Sequence, residues 1–239
     1  MNYFLTGGTG FIGRFLVEKL LARGGTVHVL VREQSQDKLA ELRERWGVDD
    51  SRVKAVIGDL TSKNLGIDAK AMKALKGNVD HFFHLAAVYD MSADEEAQAA
   101  TNIEGTRAAV QAAEAMGAKH FHHVSSIAAA GLFKGIFRED MFEEAEKLDH
   151  PYLRTKHESE KVVREECKVP FRIYRPGMVV GHSKTGEMDK IDGPYYFFKM
   201  IQKIRHALPQ WVPTVGIEGG RLNIVPVDFV ANALDHIAH

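Results

Sequence analysis

Two rhythms of apolar residues alternate along the chain. The runs "NYFLT", "TVHVLV", "VKAVI", "DHFFHLA", "HFHHVSS" and "FRIYRP" are short, aromatic or β-branched, and bounded by turn residues, which predicts strands. Between them lie "GFIGRFLVEKLLAR", "SQDKLAELRERWG", "AKAMKALKG" and "DEEAQAATNIEGTRAAVQAAEAMG". Their apolar residues recur every three or four positions, as Leu39, Leu42 and Trp46 do, which predicts helices. Strands alternating with helices in this way predict an α/β fold, a doubly wound parallel sheet with helices on both faces. After Pro176 the alternation becomes irregular, and "GHSKTGEMDKIDGP" reads as a long loop. The expected division is a sheet-forming domain over residues 1–176 and a small, incomplete substrate-binding part over 177–239, which ends in a returning strand and helix.

The first strand runs straight into Gly7, Gly10 and Gly13, and these into an amphipathic helix. In a strand–turn–helix setting each glycine has a task. Gly7 permits the tight turn, Gly10 lets a pyrophosphate approach the backbone, and Gly13 lets helix and strand pack closely, while the helix N-terminus favours the anion. The pattern predicts a dinucleotide site. The end of the second strand decides which dinucleotide, because an acidic residue there would hold a ribose 2′-hydroxyl and repel a 2′-phosphate. Arg32 stands at that place, with Ser35 and Lys38 close behind. A guanidinium holds a 2′-phosphate through charge-assisted bonds, so the expected cofactor is NADPH, or NADP+ when oxidised. The competing reading gives the ribose to Glu33 and turns Arg32 to solvent.

Proton chemistry enters with "HPYLRTKHESEKVV". Tyr152 and Lys156 are four residues apart and share one face of a helix. A tyrosine at its ordinary pKa of about 10 is a poor acid–base group. A nearby ammonium and the positive charge of an oxidised nicotinamide both stabilise phenolate and bring it toward working pH. Tyr-x-x-x-Lys is common by chance. It gains weight here because "HHVSSIAAAG" supplies Ser125 and Ser126 at the end of the preceding strand.

The Gly-x-x-Gly-x-x-Gly spacing resembles the short-chain dehydrogenase/reductase superfamily, and "TGGTGFIG" resembles its extended branch, which has a Rossmann-like fold. "GDL" at Gly58–Leu60, "HLAA" at His84–Ala87, "TNIEGT" at Thr101–Thr106 and "RPGMVVG" at Arg175–Gly181 follow in the order that branch carries them. The resemblance implies three catalytic residues. Ser126, favoured over Ser125 by its spacing to Gly131, orients the substrate carbonyl; Tyr152 delivers the proton; Lys156 holds the ribose and lowers the tyrosine pKa. It also implies a cofactor surface that begins with Thr6, Gly7, Gly10, Phe11, Ile12 and Gly13. Arg32, Asp59 (on the adenine amino group) and Leu60 continue that surface. Ala86, Ala87 and Lys156 follow, and Pro176, Gly177 and Val179 lie alongside the nicotinamide.

Taken together, "HLAAVYDM", "HHVSSIAAAG", "YLRTKHESEKVV" and "RIYRPGMVVG" are similar to the N-terminal reductase domain of bacterial alcohol-forming fatty acyl-CoA reductases, and the match spans essentially the whole chain. That resemblance implies NADPH-dependent reduction of long-chain acyl-CoA or fatty aldehyde toward the alcohol. It also implies that these residues are the front of a longer chain with a second reductase domain. The apolar stretches "GLFKGIFREDMFEE" and "GPYYFFKMIQKIRHALPQWVP" suit a long acyl chain; partly uncovered, they would favour self-association. Two other classes stand beside this reading. A sugar-nucleotide epimerase or dehydratase would carry Asp in place of Arg32, and a non-catalytic NADP-sensing module would have no need of Tyr152 and Lys156.

Composition narrows the picture further. Of 239 residues, 45% are hydrophobic and 26% charged, with a net charge of -1, so no basic field favours nucleic acid. No apolar stretch approaches the roughly 20 residues of a membrane helix, and "NYFLTGG" has no basic leader or cleavage site. Cys167 is the only cysteine, which excludes an internal disulfide and suits the cytoplasm, the expected location. His120, His122 and His123 crowd one strand, but at most two share a face and no cysteine or acid completes a zinc spacing, so no metal is expected. "ADEEAQ" at Ala93–Gln98 reads as an acidic helix start explained by the macrodipole.

Overall fold

The apolar runs pair as parallel strands because helices cover both of their faces. The computed structural model describes residues 1–87, 100–188, 202–207 and 222–239. β1 (Asn2–Thr6), β2 (Thr26–Val31), β3 (Val53–Ile57), β4 (His81–His84), β5 (His120–Val124) and β6 (Phe171–Tyr174) form one parallel sheet in the order β3-β2-β1-β4-β5-β6. The strand order reverses between β1 and β4, whose ends pair Thr6 with His84. In open sheets of this kind ligands bind at that switch point, outside the carboxyl ends of the strands.

The helices are α1 (Phe11–Ala22), α2 (Gln36–Trp46), α3 (Ala69–Leu75), α4 (Gly105–Met116), α5 (Pro151–Glu166) and α6 (Val227–Ala238), with a further short helical stretch at 202–207. The period of two along each strand sorts side chains between two cores. Phe4, Phe82 and Phe121 pack under α4 and α5 with Ala109, Met116 and Val163. Tyr3, Leu5, Phe83 and Val124 face the other way, against Leu16 and Leu20 of α1 and Val230 and Leu234 of α6.

Two departures from the sequence pattern bear on the site. The helix expected over 94–117 begins as an α-helix only at Gly105, after a wider π turn at Ala100–Glu104; residues 94–99 lie outside the described residues. The strand expected over "DHFFHLA" pairs only from His81 to His84, which leaves Leu85–Ala87 as a connection beside the glycine turn.

Past Pro176 the described residues lie outside the six-stranded sheet. β7 (Met178–Val180) and β8 (Ile224–Pro226) pair in parallel as a separate two-stranded sheet, and α6 then returns to pack on α1. Residues 181–188 are irregular, and Glu187 there takes ion pairs from Arg14 at 3.2 Å and Arg45 at 2.5 Å. The rest of that loop and most of the aromatic stretch from Gly193 to Pro213 lie outside the described residues, as do "VYDM" and "ADEEAQ". Among the described residues no helix is long and apolar enough to cross a membrane.

Candidate active site

The glycine turn closes with Gly10 N–H donating to Gly7 O at 3.0 Å. Gly7 has φ +72°, and a Cβ there would sit 2.7 Å from Ala86 N, so the turn lies directly against the end of β4. At Gly13 a Cβ would overlap the Gly7 carbonyl oxygen, so helix and turn pack closely because the residue has no side chain. α1 starts at Gly10 without a side-chain cap and without an acid in its first turn. Its first N–H groups, including those of Phe11 and Ile12, are left for a ligand. The side chains of Phe11 and Ile12 pack into the core instead. An anion fits this cradle.

At the far end of β2, Arg32 is exposed and close enough to Asp59 to help lower its carboxyl pKa. The stronger causes at Asp59 are local: its Oδ1 accepts from Thr61 Oγ1 at 2.6 Å and Thr61 N at 2.8 Å. Leu60 packs where a Cβ on Gly105 would stand, 2.7 Å from Leu60 Cγ. Glu33, the competing ribose ligand, accepts from Gln36 Nε2 at 3.2 Å within its own turn. Arg32 and Lys38 are both exposed cations near this corner.

A buried hydrogen-bond chain joins the glycine turn to the tyrosine helix. Thr6 Oγ1 accepts from Ala86 N at 3.3 Å and meets His84 Nδ1 at 2.7 Å; His84 Nε2 meets Thr106 Oγ1 at 3.0 Å. Thr106 Oγ1 donates to Asn102 O at 2.6 Å. Its one proton being used, Thr106 must accept from His84 Nε2–H, so Nδ1 is the lone-pair nitrogen and Thr6 donates to it. Burial, with the Lys156 charge as a lesser cause, pulls the His84 pKa down to about 3, and the ring stays neutral. Asn102 Nδ2 then donates to Thr155 Oγ1 at 3.3 Å, and Thr155 Oγ1 donates to Tyr152 O at 3.2 Å. The π turn at Ala100–Glu104 lies where Asn102 makes this contact.

α5 begins at His150, whose Nδ1 accepts from Tyr152 N at 3.1 Å, with Pro151 at its first position. Tyr152 and Lys156 are both buried one turn apart. Lys156 is 6% exposed, no carboxylate pairs with it among the described residues, and burial brings its pKa down to about 8. Ser126 caps a short 3-10 turn at Ile127–Ala130, its Oγ accepting from Ala128 N at 3.1 Å. His157 ties α5 to that turn through Nδ1 and Ala129 O at 3.0 Å, its ring stacked 4.2 Å from Phe142. Ile127 N donates to Pro176 O at 3.1 Å, and Gly177 closes tightly on Asn223. Val179 packs against Phe15 and Val227, in the core.

Ser125 has a different task. Its Oγ donates to Glu160 Oε2 at 3.0 Å, and Glu160, 0% exposed, also accepts from Arg175 and Arg164. Burial alone would push this carboxyl up; the two guanidiniums outweigh it and hold it below the ordinary range. The cluster pins α5 to the ends of β5 and β6. Sequence reading missed Glu160, although its place one turn after Lys156 on the same buried face was available as a signal. It also missed the task of His84. His120 and His122 share one face while His123 takes the other, and among the described residues no cluster of histidine, cysteine or acid could hold a metal.

The profile of the Male sterility protein family matches residues 5–234. The chain is 31% identical to the non-canonical nonribosomal peptide synthetase FrzA of Cladobotryum sp over 258 residues, covering 98% of this chain and 24% of that protein. With the putative fatty acyl-CoA reductase CG8306 of Drosophila melanogaster it shares 28% identity over 282 residues, 98% of this chain and 53% of the relative. The solved terminal R domain from the myxalamid PKS-NRPS pathway superposes with a TM-score of 0.81 at 29% identity, covering 99% of this chain and 61% of that one. The chain thus spans between a quarter and three fifths of these proteins.

Proposed function

This chain belongs to the male sterility protein family, within the extended short-chain dehydrogenase/reductases, and we propose that it is an NADPH-dependent reductase of long-chain fatty acyl-CoA and fatty aldehyde toward the alcohol. That it is an oxidoreductase with an NAD(P)-binding fold follows from the family; the choice of NADPH and of substrate is the proposal. The observation that carries it is Lys156, a buried ammonium one turn from Tyr152 with which no carboxylate pairs among the described residues. A buried charge left this way needs a partner, and ribose hydroxyls supply one. The uncapped α1, the Gly7–Gly13 cradle and the exposed Arg32 support the rest of the dinucleotide.

When bound, NADPH supplies hydride to the carbonyl carbon. Tyr152 gives its phenolic proton to the carbonyl oxygen, and the Lys156 ammonium stabilises the phenolate that remains. Ser126 donates to the same oxygen and fixes the carbonyl. For a thioester, one hydride and one proton yield aldehyde and free thiol; a second hydride and proton yield the alcohol. Burial of Tyr152 and Lys156 keeps bulk water from both groups, which strengthens the charge interaction between them.

The fatty acyl-CoA reductase relative supports this substrate. The peptide synthetase relative and the terminal R domain support a second reading, in which the acyl group arrives on a synthetase rather than on coenzyme A. Offering the protein NADPH with palmitoyl-CoA, with the aldehyde, and with the same acyl group on a phosphopantetheinyl carrier separates the two. Consumption of NADPH with the carrier-borne group alone would replace the first reading by the second.

A further inference from the structure

His84 ends β4 at the switch point of the sheet, and its two ring nitrogens serve different elements. On one side Thr6 Oγ1 accepts from Ala86 N at 3.3 Å and donates its own proton to Nδ1 at 2.7 Å. Ala86 N is the atom that a Cβ on Gly7 would meet at 2.7 Å, so this arm fixes the backbone against which the glycine turn packs. On the other side Nε2–H donates to Thr106 Oγ1 at 3.0 Å, and Thr106 donates in turn to Asn102 O at 2.6 Å. Asn102 Nδ2 donates to Thr155, whose hydroxyl holds the Tyr152 carbonyl oxygen at 3.2 Å. Thr6, His84, Asn102, Thr106 and Thr155 are each at most 2% exposed, so bulk water does not replace a missing link.

We infer that His84 is a positioning residue with two separable arms: Nδ1 sets the turn that holds the dinucleotide, and Nε2–H sets the first turn of α5, which carries Tyr152. What Tyr152 does rests on the proposed function; the arms rest on the hydrogen bonds alone. Their direction is fixed from both ends, because Ala86 N can only donate and Asn102 O can only accept. Each hydroxyl between them has a single proton, so one imidazole tautomer satisfies both arms and the other satisfies neither. Other side chains can satisfy one arm only. Asparagine places its amide oxygen near the position of Nδ1, whereas glutamine, one methylene longer, places its amide nitrogen near that of Nε2. The rings of Phe121 and His123 flank His84 at 6.3 Å and 5.5 Å, within 28° and 21° of parallel, and both amides are flat enough for that slot.

NADPH affinity, followed by fluorescence, and turnover of palmitoyl-CoA at saturating NADPH separate the two arms. His84→Asn keeps the acceptor for Thr6 and loses the donor to Thr106, so its loss should fall chiefly on turnover. His84→Gln keeps the donor and loses the acceptor, so its loss should fall chiefly on the NADPH dissociation constant. One missing buried hydrogen bond corresponds to about tenfold in either quantity. Thr106→Val interrupts the second arm without touching the ring and should follow His84→Asn. Turnover and affinity falling in the same proportion in all three variants would make His84 a packing residue and overturn the inference. The unaltered protein supplies a second measurement that needs no variant to be active. Nitrogen NMR of isotope-labelled histidine at neutral pH should show His84 with Nε2 protonated and Nδ1 bare, its signals identified by their absence from a His84 variant. A proton on Nδ1 would overturn the inference equally. Neither the tautomer nor the NADPH titration needs a substrate. An Nε2–H tautomer, with NADPH affinity falling more in His84→Gln than in His84→Asn and no acyl substrate reduced by wild type, would sink the reductase reading alone.

Discussion

Replacing Gly13 by alanine distinguishes a cofactor cradle from a merely tight connection. The new methyl would overlap the Gly7 carbonyl oxygen and stand 2.7 Å from Gly8 Cα, where ordinary contact begins near 3.4 Å; turn and helix must part by at least 3.4 − 2.7 = 0.7 Å. The helix cannot yield, because Leu16, Val17 and Leu20 are fully buried against the sheet. Overpacking of this kind costs about 1–3 kcal/mol, and the better helix propensity of alanine returns about 1 kcal/mol. The net loss of stability is then roughly 0–2 kcal/mol, small enough for the protein to stay folded. The turn, in contrast, moves away from where its N–H groups meet phosphate. One lost charge-assisted bond costs about 1.5–3 kcal/mol, so the NADPH dissociation constant should rise roughly 10- to 100-fold. Fluorescence titration with NADPH and urea unfolding of the same preparations give both quantities. A Gly13→Ala protein that binds NADPH within about threefold of wild type would refute the cradle.

Arg32→Ala should weaken NADPH by about 1.5–3 kcal/mol and leave NADH unchanged; equal loss of both cofactors would remove Arg32 from the 2′-phosphate. Glu160→Ala strands Arg164 and Arg175 and should cost about 3–5 kcal/mol in urea unfolding, whereas Glu160→Gln keeps part of the hydrogen bonding and should cost less. A loss below about 1 kcal/mol for the alanine variant would contradict the buried cluster. Acid should destabilise the protein through its buried histidines. Burial holds His81 at about 4, His84 at about 3 and His122 at about 2, all below an unfolded value near 6.5. The unfolded chain therefore binds more protons as pH falls through that value. The stability these neutral rings contribute is fully present above about pH 6.5 and declines below it, by about 1.4 kcal/mol per pH unit for each ring. Unchanged urea stability from about pH 7 to about pH 5 would refute this.

The sequence made the sheet legible because its strands are short aromatic or β-branched runs bounded by turn residues, with the inner strands β1, β4 and β5 buried nearly throughout. β1, β2 and β3 begin and end where "NYFLT", "TVHVLV" and "VKAVI" do. The glycine turn was legible for a similar reason, since few residues but glycine tolerate the Gly7 and Gly13 positions. What the pattern hid is long-range. The chain from Thr6 through His84, Thr106, Asn102 and Thr155 spans five elements, and no local spacing announces it. Glu160 lies among the charged residues of its helix, and its task shows only where Arg175 and Ser125, at strand ends, meet it. Adjacency along a strand already puts His122 and His123 on opposite faces; what only the strand pairing reveals is that His123 stacks on His84.

The central claim is hydride transfer from NADPH to an acyl carbonyl with Tyr152 as the proton donor. The direct measurement uses NADPH deuterated at the transferring position of the nicotinamide, long-chain acyl-CoA as substrate, and mass spectrometry of the products. Deuterium should appear on the former carbonyl carbon of the aldehyde and alcohol formed by wild type. In Tyr152→Phe that product should fall by about 10²–10⁴-fold while NADPH still binds with near wild-type affinity. Product without deuterium, or Tyr152→Phe forming it at the wild-type rate, would contradict the account.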